Sequence, residues 1–301
     1  MNNYDIGDLE RISGIKAHTI RIWEKRYKLF HPKRTDTNIR LYSDDDVRKL
    51  LNIKTLLDYG WKISKIASLS DQLIVEQVFK YSEEKKDNHK SINHIVYDYF
   101  INELLYYGLI YDEVNFELIY LNAISKYGFI DSMIKIVYPL LRKIGLLWET
   151  SKAIPSQEHF ISNLIRKKII SATDALPIPT KSYKSPFILF LPENEYHEIP
   201  LLFSNYVLRS KQIKTIYLGS NVPLENVIEV GKKNNVEKYL TILISNHSQK
   251  ELLEIKNSFT KIFNSLKNYR LYLGGNLEVM NVFKGMNNAI WMNDVNFLLK
   301  I

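Results

Sequence analysis

Cations gather in one short stretch of this chain, where Thr19-Ile20-Arg21-Ile22-Trp23-Glu24-Lys25-Arg26-Tyr27 brings charges that can meet phosphate oxygens close to a hydroxyl and two aromatics. The spacing is helical. We read it as a DNA-recognition helix with its cations and aromatics on one exposed face, contacting DNA through Lys16, His18, Thr19, Arg21, Trp23, Arg26 and Tyr27. Arg34, Arg40 and Tyr42 in the segment that follows complete the expected DNA-binding set. A solvated basic helix face would have the same composition, so the surroundings must decide. Catalytic chemistry finds no comparable support: Gly-x-Ser-x-Gly, the Walker loop and Gly-x-Gly-x-x-Gly are absent, and no recognisable motif places a carboxylate pair. We expect no enzyme. His18, His31, His89, His94 and His247 form no metal-ligand spacing.

The elements around the cationic stretch fit a winged helix-turn-helix. An apolar helix over Ile6 to Ile12 closes in a turn at Ser13-Gly14 before the cationic helix begins. Beyond Tyr27 come Pro32, Lys33 and Arg34, the turn-forming Thr35-Asp36-Thr37-Asn38, and then Ile39-Arg40-Leu41-Tyr42 alternating as a strand. Ser43 should cap the next helix, with Asp46 reaching back to the cap and Val47, Leu50, Leu51 and Ile53 on its apolar face. A short helix from Ile63 to Leu69 follows Gly60-Trp61.

Residues 1–70 hold 14 Lys and Arg against 9 Asp and Glu, so most of the net charge of +8 sits in this first domain, as counterion release on DNA requires. At 301 residues the chain needs two or three domains, and its 46% hydrophobic content can fill their cores. The absence of cysteine removes disulfides and thiolate metal sites. No apolar run approaches a membrane span and the first residues do not read as a signal peptide, so a cytoplasmic protein without membrane contact is expected.

We place the DNA-binding domain at 1–75 and a charged linker, partly helical, at 76–89. Four helical patterns over 90–176 then imply a four-helix bundle: Ile92 to Phe100, Val114 to Leu121, Ile130 to Ile144 and Phe160 to Ile169, with breaks at Tyr107-Gly108, Tyr127-Gly128 and Ala153-Ile154-Pro155. Over 180–301 the period changes. Apolar runs at Phe187–Leu191, Thr215–Leu218, Leu240–Ile244 and Leu271–Leu273, with Ala289–Trp291 as a fifth, alternate with amphipathic stretches, which implies a Rossmann-like parallel α/β domain. Ligands of such sheets lie beyond the carboxyl ends of the strands, here at 193–200, at Ser245-Asn246-His247 and at Gly274-Gly275.

Thr-x-Arg-x-Trp-Glu-x-Arg-Tyr, then Pro-x-Arg and Arg-Leu-Tyr-Ser, resembles the N-terminal domain of MerR-type regulators over residues 4–70, and its spelling is similar to the cobalamin-dependent light regulators of the CarH/LitR type. The later loops resemble the cobalamin-binding signature of that group, Asp/Glu-x-His-x-x-Gly followed by Ser-x-Leu and Gly-Gly. The resemblance implies that His197 ligates cobalt, that Glu195 sets its tautomer and basicity, and that Ser245, Gly274 and Gly275 accommodate the nucleotide tail. Trp148, followed after nine residues by Glu158-His159, matches the group's Trp-x9-Glu-His pattern, which covers the upper axial side.

Three positions depart from that pattern. Pro200 replaces the signature glycine and His247 its leucine, narrowing the tail's entry, and Glu149 stands where some members carry a histidine. The resemblance therefore implies a regulator of double-stranded operator DNA whose C-terminal region senses cobalamin, adenosylcobalamin in particular, and controls assembly into a dimer or tetramer. The alternative is a ligand-free regulator using a decayed cobalamin region as an oligomerisation or protein-interaction scaffold.

Overall fold

A computed structural model of the chain describes residues 4–83, 95–148, 155–180, 185–245, 247–266, 268–294 and 296–301. By internal contacts it divides into two compact units, Met1–Asn163 and Leu164–Ile301.

The first unit opens with α1 (Ile6–Ser13), capped by Asp5 in a reciprocal box with Asp8 and ended by Gly14 in the left-handed region at φ 72°. Then come α2 (Ala17–Tyr27), a two-residue wing pair β1 (Lys33–Arg34) and β2 (Arg40–Leu41) in antiparallel register, and α3 (Asp44–Asp58). The Ser43 hydroxyl accepts from the Asp46 amide at 3.2 Å while Asp46 accepts from the Ser43 amide at 2.9 Å, the capping box expected from the sequence. After α4 (Ile63–Ile66) comes α5 (Asp71–Glu83), so residues 76–83, expected as linker, are helical. Ile74 and Val78 on its apolar side are buried, which is why the charged text there folds.

A short turn of 3₁₀ helix at Ile95–Tyr97 leads into the bundle: α6 (Asp98–Leu109), α7 (Glu113–Ser132), a π-turn at Met133–Val137 continuing into α8 (Tyr138–Trp148), and α9 (Pro155–Asp174), within which the two units divide. Gly128, at φ 75° and ψ 167°, breaks α7 where a break was expected. On α7 the buried hydrophobic residues are Phe116, Tyr120 and Ala123, whereas Val114, Leu118 and Leu121, expected to face inward, are exposed. The helix is apolar on both sides, so periodicity alone did not identify the inner one. Gly108 is required by packing, since a Cβ there would lie 2.4 Å from Ile161 of α9.

A polar seam runs within this unit between α3 and the bundle. Arg48 forks onto Glu103 of α6, its Nε donating to Oε1 at 2.9 Å and its Nη2 to Oε2, and its guanidinium lies over the Tyr106 ring at 4.4 Å. Tyr106 donates to Asp45 at 2.7 Å; Asn102 Nδ2 donates to Asn52 Oδ1 at 3.1 Å and to Thr55 at 3.3 Å; Lys143 of α8 donates to Asn102 Oδ1 at 3.3 Å. Glu103, Asn102, Asn52 and Thr55 are all buried. The helix-turn-helix head and the bundle thus share one core.

The second unit is a parallel sheet of five strands: β3 (Phe187–Pro192), β4 (Thr215–Val222), β5 (Lys238–Leu243), β6 (Arg270–Gly275) and β7 (Ala289–Trp291), in spatial order β4-β3-β5-β6-β7. Between them lie α10 (Ile199–Ser210), α11 (Leu224–Asn234), α12 (Gln249–Phe263) and α13 (Leu277–Phe283), with α14 (Asn296–Leu299) last. One face packs Val227, Ile228, Phe259, Phe263 and Phe283 from α11, α12 and α13; α10 and α14 pack together. Phe187 to Leu191 are wholly buried, as a central strand covered on both faces must be. The strand order reverses between β3 and β5, which places the ligand crevice of this topology at their carboxyl ends. No helix among the described residues is long and apolar enough to cross a membrane.

Candidate functional site

Two sites emerge, one in each unit. On α2 the outward positions are His18, Arg21, Ile22, Lys25 and Arg26, while Ile20 and Trp23 are buried. The cations therefore face solvent, but the aromatics do not share their face. Trp23 is 8% exposed and Tyr42 is 0% exposed; both belong to the core of the head, which corrects their assignment as DNA contacts. Tyr42 is held in a bridge with Tyr4, and its hydroxyl donates to Glu24 at 3.2 Å. Burial, then the Glu24 charge, pushes its phenol far above the usual range.

Arg40 is corrected in part. Its Nε donates to both oxygens of Glu24 at 3.1 and 3.0 Å, so its first task is to strap the wing to α2. Glu24 was not among the expected site residues, although it stands inside the motif that identified the helix. Of the other expected residues, Lys16 is exposed and paired with Glu10 at 3.0 Å, Thr19 Oγ1 lies 3.3 Å from His18 Nε2, Arg26 lies over the half-buried Tyr27 ring, and Arg34 at the wing is exposed and bonded to Asn38. Lys25 and Lys33, outside the expected contact set, are further exposed cations. Replacing Arg21 with Ala in the full chain is expected to weaken binding to any duplex and to lower the slope of log affinity against log salt by about one unit. Fluorescence anisotropy across a salt series checks this.

In the second unit the carboxyl ends of β3 and β5 are tied together by Glu195, a carboxylate with no solvent exposure. Its Oε1 accepts from the His197 amide at 3.0 Å and from Ser245 Oγ at 2.9 Å, and lies 2.7 Å from His197 Nδ1; its Oε2 accepts from the amides of Ile244 and Ser245 at 2.7 and 2.8 Å. Burial pushes this carboxyl up, but hydrogen bonds from the His197 ring, from Ser245, from the His197 amide and from Ile244 outweigh it and bring it down to about 2. An ionised Glu195 favours the proton on Nδ1, so that the ring's acceptor lone pair lies on Nε2, on a side chain that is 55% exposed. Such a nitrogen can ligate a metal without further protein ligands. No cluster of three or more metal-ligating side chains occurs among the described residues.

Pro200 occupies the first turn of α10, where its missing N–H is one that the helix leaves unpaired in any case, so the backbone accepts it without strain. Gly275 is explained by packing alone, since a Cβ there would lie 2.7 Å from the Leu243 carbonyl oxygen. His247 is half-buried, and its Nε2 has no hydrogen-bond partner among the described residues. In the first unit Glu158 and His159 pair at 2.9 Å with the imidazole largely exposed. Glu149 and the Trp148 side chain lie outside the described residues.

Comparison with known proteins matches two parts of the chain. Residues 4–73 match the family model described as MerR HTH family regulatory protein, and residues 101–171 match a B12 binding domain. The chain is 27% identical over 228 residues to the HTH-type transcriptional repressor CarH of Myxococcus xanthus, covering 74% of this chain and 73% of that protein. It is 25% identical over 222 residues to CarA of the same organism, covering 72% and 68%. The HTH-type transcriptional regulator MlrA of Salmonella typhimurium is 34% identical over 83 residues, 28% of this chain and 34% of that one. Among solved structures, the monomethylamine corrinoid protein of Methanosarcina barkeri superposes with a TM-score of 0.54 at 16% identity, over 67% of this chain and 95% of that one, which speaks for the fold.

Proposed function

We propose, from the premise that this chain is a MerR-type transcriptional regulator with a C-terminal cobalamin-binding-like region, that it couples the sensing of cobalamin to its own assembly on operator DNA. The observation that carries the reading is the buried Glu195 carboxylate, which presents His197 at the carboxyl end of the central strand. A loop histidine with no ligand to bind has no need of a carboxylate satisfied on both oxygens beneath it.

The donor set suits the cofactor. When bound, cobalamin would supply a cobalt centre that an imidazole can ligate. His197 would hold the cobalt, with Ser245 and Glu195 fixing its ring and Gly274 and Gly275 beside the tail; Trp148, Glu158 and His159 are further residues proposed for cofactor binding. Adenosylcobalamin is the form proposed, and the assembled species a dimer or tetramer. On the DNA side, the exposed Arg21, Arg26, Lys16 and Arg34, with His18 and Thr19, would contact the duplex, and two or more copies would engage repeated half-sites.

A second reading keeps the regulator and removes the ligand, leaving the region as a scaffold. It is favoured by Gly275, which the sheet requires with or without a tail. Light scattering of the full chain in the dark separates the two. Adenosylcobalamin is expected to raise the molar mass about two- to fourfold for the wild type and not for His197→Ala, as a ligand with differential affinity for one assembly state must. An unchanged wild-type mass rules out the assembly step.

A further inference from the structure

The loop between β3 and α10 is held at two points, and the signature accounts for only one of them. Glu195 ties it to the end of β5. On the other side of His197, the Glu198 carboxylate accepts from the Tyr217 hydroxyl of β4 at 2.9 Å on Oε1 and from Arg166 Nε of α9 at 2.8 Å on Oε2. The Glu198 side chain is only 14% exposed, and its backbone carbonyl accepts the Leu202 amide in the first turn of α10. The histidine loop is thereby fastened to both strands that flank β3 in the sheet, β5 through Glu195 and β4 through Glu198.

We propose that Glu198 is a positioning residue for His197, acting with Tyr217 and Arg166 as a second fastening that holds the imidazole in one orientation over the crevice. This deepens the cobalamin reading of the site and rests on it for its purpose, but the fastening itself can be tested without the cofactor. A short loop tethered at one end can swing about that end; tethered at both, it presents Tyr196 and His197 as a fixed pair, lowering the ordering entropy that ligation must otherwise overcome. Local features fit the role. Gly219 of β4, in the left-handed region at φ 83°, lies where a Cβ would stand 3.5 Å from the Glu198 carboxylate, and the β3–β4 register shifts at this point, turning the edge strand toward the loop. Burial, then the Glu198 charge, pushes the Tyr217 phenol far above its usual range, so its hydroxyl stays protonated as the donor.

Amide hydrogen exchange of the full chain, without ligand, tests the fastening directly. Glu198→Ala is expected to speed exchange at the His197 and Glu198 amides by about tenfold while distant core strands keep their protection, and Tyr217→Phe should give the same pattern more weakly. Glu198→Gln, which keeps an acceptor for Tyr217, should restore most of the protection. In a parallel arm with hydroxocobalamin, the wild type should show the histidine-on absorbance and Glu198→Ala a mixture with the histidine-off form at unchanged melting temperature. Exchange in this loop left unaltered by both Glu198→Ala and Tyr217→Phe overturns the proposal. Absence of any cobalamin spectrum in the wild type refutes the sensing reading instead, and the exchange arm still decides the role of Glu198.

Discussion

Glu195→Ala is expected to cost the second unit about 3–5 kcal/mol, because it strands the amides of His197, Ile244 and Ser245 and the Ser245 hydroxyl without their acceptor in a buried site. Urea unfolding measures it. The same carboxylate predicts a pH dependence whose sign is fixed. Its pKa in the folded chain is about 2, below the usual unfolded value of about 4.3, so the contribution is complete above the unfolded pKa and is lost as pH falls from there through the folded value. The drop from pH 5 to pH 2 should amount to about 3 kcal/mol and be absent in Glu195→Gln. An equal drop in that variant would assign it to other carboxylates.

The second large effect is expected at the seam between the DNA-reading head and the bundle. Glu103 is 2% exposed and receives both arms of the Arg48 fork, so Glu103→Ala leaves a cation without its counter-charge and should destabilise the first unit by about 3 kcal/mol. Arg48→Met with Glu103→Leu, which removes both charges and retains apolar volume, should recover most of that loss. If the double variant is no more stable than Glu103→Ala, the cost lies in packing and not in the stranded charge. The seam also bears on experiment design. Cutting the chain at residue 75 would split α5 and bare the buried Asn52 and Thr55, so DNA binding is best measured on the full chain.

Much of this architecture was legible because it is written locally. The capping box at Ser43 and Asp46, the helix stop at Gly14, the break at Gly128 and the five apolar strands each depend on residues a few positions apart. What was not legible depends on partners far along the chain. Tyr42 reads as a surface aromatic because nothing local says that Tyr4 bridges to it and that the Phe30 ring packs against its own. The segment 76–83 reads as linker because the faces that receive it, on α3 and α6, come from either side of it. Glu198 lies one residue beyond a motif histidine, yet its partners Arg166 and Tyr217 are 32 and 19 positions away. Glu195 and His197 were found because one short loop holds both.

The central claim is that His197 is a cobalt ligand in waiting, and one absorbance titration tests it: purified full-length chain with adenosylcobalamin in the dark, beside His197→Ala. The account predicts a saturable histidine-on spectrum for the wild type and its loss in the variant. A wild type that leaves the cobalamin spectrum unchanged, or a His197→Ala protein that binds with the wild-type spectrum, would contradict it.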